Sequence, residues 1–121
     1  IAISVTCVRV PVWFGHCESV NVEFSLPITP EEARRILAQA PGIRVLDDPT
    51  VSFYPQPWAA SGSDHVFVGR IRKDISHANG LVMWIVADNL RKGAALNAVE
   101  IAEEGVGRGW ISLKKSLASL S

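Results

Sequence analysis

Five side chains that could do chemistry lie near the start of the chain: Cys7, Arg9, His16, Cys17 and Glu18. A zinc site needs three or four ligands at compatible spacing, and this group contains neither a CxxC nor an HExxH pattern. We therefore predict no metal site here. A thiol and its activating base must touch, but adjacent residues of an extended chain point to opposite faces. Direct pairing of His16 with Cys17 is therefore not expected.

A third interpretation uses His16 as a general acid and base and Arg9 as an anion-binding group. Imidazole ionises near neutral pH, which suits proton transfer. The planar guanidinium fork of arginine can bind a carboxylate through two parallel hydrogen bonds. The residue types alone leave open the alternative that both are ordinary surface or structural side chains. The basic stripe Arg70, Arg72 and Lys73 is equally open in its role.

Period-two alternation predicts the strands that would position these groups. Residues 1–10 are rich in β-branched side chains and end at Pro11, which is typical of a strand. Polar and apolar residues alternate in residues 19–24, so one side of that strand should face a core. Its core-facing side chains are Val20, Val22 and Phe24. Further strands are predicted at residues 43–46, 65–73 and 81–87, the last two as an antiparallel pair. The last strand is apolar almost throughout, which predicts burial on both faces.

Two helices are indicated by capping signals. Thr29 is placed as N-cap, Pro30 as the first helical residue and Glu32 to complete a capping box. Pro41 and Gly42 should stop this helix. A second helix begins at Asp88 and ends at Gly105, and its alanine-rich stripe permits close packing. The long loop 47–64 is typical of a functional or interfacial segment.

The composition excludes several classes of protein. The chain has 121 residues, 12 basic and 12 acidic, with 48% hydrophobic residues, which predicts one globular core. Zero net charge argues against nucleic acid as partner, and no apolar run approaches the roughly 20 residues of a membrane span. Two cysteines without a CxxC pair favour a reducing compartment, so we expect a cytoplasmic protein. A chain that begins at Ile1, in a strand-like pattern, is expected to be a piece of a longer protein.

Four segments together resemble one enzyme family. They are CVRVPV (residues 7–12), GHCESV (15–20), YPQPWAASGSDHVFVGRIRKD (54–74) and MWIVADNLRKGAALNAVEIAE (83–103). In order and spacing they resemble the C-terminal part of aspartate-semialdehyde dehydrogenases. The resemblance implies an α+β fold, with a mixed or antiparallel sheet and helices on one face, like the C-terminal domain of glyceraldehyde-3-phosphate dehydrogenase. It also implies that residues 1–88 belong to a catalytic and dimerisation domain, that residues 89–105 form a helix packing on a nucleotide-binding domain, and that 106–121 is a tail.

The resemblance further implies an activity. Enzymes of that family convert L-aspartyl 4-phosphate to L-aspartate 4-semialdehyde and phosphate with NADPH, a step toward lysine, threonine, methionine and diaminopimelate. By resemblance, His16 matches the catalytic acid and base, Arg9 the arginine that binds the substrate carboxylate, and Asn89 an amide near the nicotinamide of NADP. A homodimer is implied as well. Arg70, Arg72 and the 47–64 loop fall where the family builds subunit contacts and site edges.

The chain departs from the family in what it lacks. Neither Cys7 nor Cys17 lies in the asparagine-and-cysteine motif of the nucleophile, and no nucleotide-binding glycine loop occurs. We therefore expect the isolated 121 residues to be inactive and not to bind NADP tightly. Two alternatives remain: a non-enzymatic dimerisation module, and a relative of N-acetyl-glutamyl-phosphate reductase. The second fits Arg9 and the Asn89 helix less well.

Overall fold

A four-stranded sheet organises the fold. The computed structural model describes residues 1–111, and its strands are β1 (His16–Glu23), β2 (Ile43–Val45), β3 (Val66–Lys73) and β4 (Gly80–Ala87). The order across the sheet is β1-β4-β3-β2. β1 and β3 run antiparallel to β4, whereas β2 runs parallel to β3. This mixed sheet confirms the predicted α+β class and the predicted antiparallel pair.

Helices are interspersed with the strands. They are α1 (Pro30–Gln39), α2 (Pro57–Ala60) and α3 (Leu96–Gly107), together with a 3-10 turn at Pro49–Val51 and a π-helical turn at Arg91–Ala95. α1 begins as predicted, because the Oγ1 of Thr29 accepts a hydrogen bond from the backbone N–H of Glu32 at 3.1 Å and Pro30 is the first helical residue.

The main core lies between α1 and one face of the sheet. Its buried residues are Ala33, Val68, Ile71, Leu81 and Met83. The side chains of Val20, Val22 and Phe24 pack against this core, which confirms the predicted inner face of β1. The central strand β4 is buried on both faces, as its apolar sequence predicted.

The segment between β2 and β3 covers the opposite face of the sheet. The indole N–H of Trp84 donates a hydrogen bond to the carbonyl oxygen of Pro55 at 3.1 Å. A Cβ added to Gly69 would collide with the carbonyl oxygen of Leu46 and lie 2.5 Å from Cδ of Pro55, so only glycine fits there. In α2, Ala60 is fully buried. The long loop is therefore a packed layer of the domain.

The predicted end of the last helix is wrong by two residues. α3 continues through Gly105 to Gly107. The cap is a Schellman motif, in which Gly109 has φ +71° and the N–H of Trp110 donates to the carbonyl oxygen of Gly105 at 2.8 Å. Gly105 has a packing role instead, since a Cβ there would lie 2.7 Å from Cδ1 of Ile111. Most of the predicted tail, residues 112–121, lies outside the described residues.

The predicted strand at residues 1–10 is also wrong in this structure. The segment has no regular secondary structure and every residue of it is exposed. Alternation of β-branched residues favours extended backbone, but a strand also needs a neighbour that accepts and donates its ladder hydrogen bonds. Among the described residues, the sheet consists of the four strands β1, β2, β3 and β4, and residues 1–10 are not part of it. None of the helices in residues 1–111 has the length and apolar run that a bilayer crossing requires.

Candidate functional site

The pairing of β1 with β4 brings two of the predicted site residues to one end of the sheet. His16 is the first residue of β1 and lies opposite Ala87, the last residue of β4. Asn89 follows Ala87 by two residues. Antiparallel register therefore juxtaposes positions that are more than seventy residues apart in the sequence.

A hydrogen bond joins the turn before His16 to Asn89. The backbone N–H of Gly15 donates to Oδ1 of Asn89 at 2.9 Å in a partly buried setting. Gly15 has φ +93°, a backbone conformation that favours glycine. A Cβ at this position would also lie 3.2 Å from Cβ of Pro57. The turn is thus enclosed between the side chain of Asn89 and the first residue of α2.

A buried carboxylate fixes the backbone that carries Asn89. Asp88 is 4% exposed. Its Oδ2 accepts a hydrogen bond from the N–H of Gly62 at 2.7 Å, and its Oδ1 accepts from Leu90 at 2.8 Å and Arg91 at 3.2 Å. The bond from Gly62, followed by those from Leu90 and Arg91, holds the pKa of Asp88 below its ordinary value against the opposing effect of desolvation. Asp88 thus acts as the predicted cap and also ties the loop after α2 to the end of β4.

The two predicted polar groups of the site, His16 and Arg9, lie on different parts of the structure. The side chains of His16 and Arg9 are both exposed. Arg9 lies in the irregular segment at the start of the chain, and the ion pairs among residues 1–111 are formed by other side chains. The structure therefore brings Asn89 to the His16 turn but does not bring Arg9 to it through an ion pair.

The two cysteines near the start of the chain are not arranged as a catalytic site. Cys7 is exposed and Cys17 is half-buried, and both are free thiols. Burial raises the pKa of the Cys17 thiol, which disfavours the nucleophilic thiolate. Because His16 and Cys17 are consecutive in β1, their side chains point to opposite faces of the sheet. Among residues 1–111, no three His, Cys, Asp or Glu side chains are grouped to hold a metal.

The predicted basic stripe lies toward the other end of β3, beside a cavity of about 340 Å³. A register shift occurs between Gly69 and Arg72, and within it Arg70 has φ +51°. The guanidinium of Arg70 lies 5.4 Å from the ring centroid of Tyr54, and Arg72 donates to the carbonyl oxygen of Arg70 at 2.9 Å. Both arginines therefore have partners within the chain.

The bulge at this cavity is held by a second buried carboxylate. Asp47, whose side chain is 2% exposed, accepts hydrogen bonds from Nε of Arg34 at 2.7 Å and from the N–H groups of Arg70 at 2.6 Å and Ile71 at 3.1 Å. Arg34 also donates to the carbonyl oxygen of Ile71. Asp47 thus connects α1, the end of β2 and the bulge, a role that sequence reasoning missed.

Comparison with known proteins identifies the family. Residues 2–92 match the family described as semialdehyde dehydrogenase, dimerisation domain. The chain belongs to this family. The predicted positions Arg9, His16 and Asn89 all fall inside the matched range. The fold that the resemblance implied is therefore confirmed at the level of the family.

Several members of the semialdehyde dehydrogenase family are similar in sequence and structure. The aspartate-semialdehyde dehydrogenase of Aquifex aeolicus is 57% identical over 111 residues, which is 92% of this chain and 33% of the relative. That of Synechocystis is 53% identical over the same shares. The crystal structure of aspartate semialdehyde dehydrogenase II from Vibrio cholerae, complexed with ASA, has a TM-score of 0.75 and 48% identity over 85% of this chain and 30% of that one. The chain thus spans about a third of the length of these relatives.

One contact of this semialdehyde dehydrogenase domain could not be predicted from its sequence. The bond between Gly15 and Asn89 joins residues 74 positions apart. Gly15 could be recognised as a turn residue, but no local pattern indicates which side chain its N–H meets. The partner follows only from the register of β1 on β4.

Proposed function

We propose that this chain is the catalytic and dimerisation part of an NADP-dependent aspartate-semialdehyde dehydrogenase. The observation that carries the proposal is the 57% identity to the Aquifex aeolicus enzyme over 92% of the chain. The reaction would convert L-aspartyl 4-phosphate to L-aspartate 4-semialdehyde and phosphate in the biosynthesis of lysine, threonine, methionine and diaminopimelate. Two free thiols are compatible with a cytoplasmic location.

In this proposal His16 moves protons. A cysteine thiol elsewhere in the full-length polypeptide attacks the acyl phosphate, phosphate leaves as the thioester forms, and His16 takes the thiol proton. After hydride transfer to the thioester, His16 gives that proton to the oxygen of the thiohemiacetal. It removes the proton again as the C–S bond breaks, which releases the aldehyde and the thiolate. NADPH, when bound, supplies the hydride. Two observations support this role. His16 is exposed at the end of the sheet, where a reacting group can reach it. Its imidazole also has no side-chain partner among residues 1–111, so both ring nitrogens are available.

Arg9 is proposed to bind the substrate carboxylate. Its guanidinium is exposed and makes no ion pair in the described part of the chain, so its donors are available to a ligand. Arg9→Lys keeps the charge but removes the bidentate fork. We expect KM for the substrate to rise about tenfold, because one charge-assisted hydrogen bond to the substrate is lost. Arg35→Lys, on the exposed side of α1, is the matched control.

Asn89 is the one residue of this chain proposed to contact NADP. Its Oδ1 is occupied by the N–H of Gly15, which leaves the amide nitrogen as a donor toward a carboxamide or ribose oxygen.

We also propose that α3 packs on the nucleotide-binding domain. Support for that contact comes from Val99 and Ile101, which are 53% and 62% exposed in the described structure.

The experiment is an assay of the full-length polypeptide that carries these 121 residues. In the reverse direction, aspartate semialdehyde, phosphate and NADP should give NADPH, followed by its absorbance. The isolated chain should give none. Light scattering should find a homodimer of the full-length protein, as the family description supports. Absence of turnover with aspartate semialdehyde, in a preparation that oxidises a different semialdehyde with NADP and phosphate, would refute the assigned substrate.

A further inference from the structure

We propose that Asn89 is a positioning residue for His16, acting through its carbonyl oxygen on the backbone of the preceding turn. The inference rests on the proposed role of His16 as acid and base. The amide nitrogen of Asn89 is expected to contact the cofactor, and its carbonyl oxygen has this second role. The observation behind it is the 2.9 Å hydrogen bond from the N–H of Gly15 to Oδ1 of Asn89.

Asn89 lies in a backbone segment that is fixed on both sides. The buried carboxylate of Asp88 accepts hydrogen bonds from the N–H groups of Gly62, Leu90 and Arg91, so the backbone on both sides of Asn89 is fixed. The N–H of Gly93 donates to the carbonyl oxygen of Asp88 at 3.2 Å. Asn89 therefore projects from a rigid corner between β4 and the π-helical turn, and its Oδ1 is a fixed acceptor.

Asn89 in turn holds the backbone of Gly15, which α2 confines from another side. On the side of α2, a Cβ at Gly15 would lie 3.2 to 3.3 Å from Cβ, Cα and the carbonyl oxygen of Pro57. The backbone of Gly15 is thus confined by Pro57 and oriented by Asn89. Rotation about the φ and ψ angles of Gly15 would break the bond to Asn89 and move the chain relative to Pro57.

The turn at Gly15 leads directly into His16. The N–H that Asn89 holds belongs to the peptide group before Gly15, and only the φ and ψ angles of Gly15 separate it from the peptide group that leads to the Cα of His16. Because β1 is paired with β4 from His16 onward, fixing that N–H restricts the backbone that enters β1 and with it the direction of the His16 Cα–Cβ bond. The His16 side chain is exposed and makes no side-chain hydrogen bond in the described part of the chain. The backbone therefore carries the positioning, since no neighbour holds the imidazole directly. A displacement near 1 Å of a catalytic group can cost about a hundredfold in rate.

Two substitutions separate this role from a cofactor contact. Asn89→Asp keeps an oxygen acceptor for the N–H of Gly15 and removes the amide donor, whereas Asn89→Ala removes both. The matched control is Asn21→Ala in β1, which removes a 2.9 Å hydrogen bond to Asp74 far from His16. All three variants are made in the full-length polypeptide and assayed in the reverse direction over a range of pH.

We expect Asn89→Ala to lower kcat by about 10- to 100-fold. KM for NADP should rise to the same extent in Asn89→Ala and Asn89→Asp, because both variants lose the amide donor proposed to contact NADP. Asn89→Asp should recover kcat to within about threefold of the wild type, because the acceptor is retained, and Asn21→Ala should match the wild type. In Asn89→Ala the fall in kcat should be largest on the limb of the pH profile that reports the histidine. Wild-type kcat in Asn89→Ala would overturn the proposal. So would a kcat in Asn89→Asp as low as that in Asn89→Ala.

Hydrogen exchange keeps this test distinct from that of the proposed function. Measured by mass spectrometry on the full-length polypeptide, the peptide containing Gly15 should lose protection in Asn89→Ala and keep it in Asn89→Asp. If the wild type does not turn over aspartate semialdehyde, the proposed function fails, and this exchange pattern still reports whether Asn89 holds the turn. Equal protection in both variants would overturn the positioning role by itself.

Discussion

Adding one methyl group to the turn before His16 should destabilise the domain strongly. In Gly15→Ala the backbone must keep φ near +93°, which costs an alanine about 1–3 kcal/mol. The new Cβ also lies 3.2 to 3.3 Å from three atoms of Pro57, inside ordinary van der Waals contact. Overpacking of this kind costs about 1–3 kcal/mol. We therefore expect a loss of about 2–4 kcal/mol in the free energy of unfolding, allowing for partial relaxation of α2.

Two other glycines separate the contributions to this loss. Gly62 has φ +78° but open space around its Cα, so Gly62→Ala should cost only the backbone strain, about 1–2 kcal/mol. Gly107 in α3 has neither strain nor a close neighbour, so Gly107→Ala should be neutral or stabilise by up to about 1 kcal/mol. The measurement is urea unfolding followed by circular dichroism. A Gly15→Ala variant no less stable than Gly62→Ala would refute the packing of the turn on Pro57.

Three further substitutions test other parts of the fold. Asp47→Asn places an amide where a buried carboxylate accepts hydrogen bonds from Arg34 and two backbone N–H groups, and urea unfolding should show a loss of about 2–3 kcal/mol. The pKa of Asp88 is lowered in the folded state, so its contribution to stability is complete above the unfolded value of about 3.9 and is lost as the pH falls through the folded value. Asp88→Asn should therefore show a smaller loss of stability on acidification than the wild type, measured as urea midpoints from pH 6 to pH 2. Leu81→Ala in the fully buried core should cost about 2–5 kcal/mol, and a loss below about 1 kcal/mol would contradict the assigned core.

Local signals were sufficient to predict the elements that depend on local interactions. Thr29 and Pro30 predicted the start of α1 because capping involves only neighbouring residues. The apolar run of β4 predicted burial on both faces, because a strand with one face in water alternates polar and apolar residues. Gly105 misled, since a glycine near a helix end can serve close packing as well as termination.

Features that depend on distant partners could not be predicted in this way. Residues 1–10 have strand propensity, but whether a strand forms depends on a neighbour that the pattern does not name. The bond from Gly15 to Asn89 and the three bonds to Asp47 likewise join segments whose proximity is created by the sheet. Residue types alone suggested Arg9 and His16, and the resemblance to a family supported their roles and added Asn89. The bond that holds the turn before His16 became visible only in the structure.

One kinetic comparison decides whether His16 is the acid and base of the reaction. His16→Ala in the full-length polypeptide should lower kcat for the reverse reaction by about 100-fold or more, the usual contribution of a general acid and base. His77→Asn is the control, because it lies in the turn before β4 at the other end of the sheet and keeps an acceptor for the N–H of Asn79. We predict that His77→Asn retains wild-type turnover while His16→Ala loses it. Wild-type turnover in His16→Ala would show that His16 is not the acid and base.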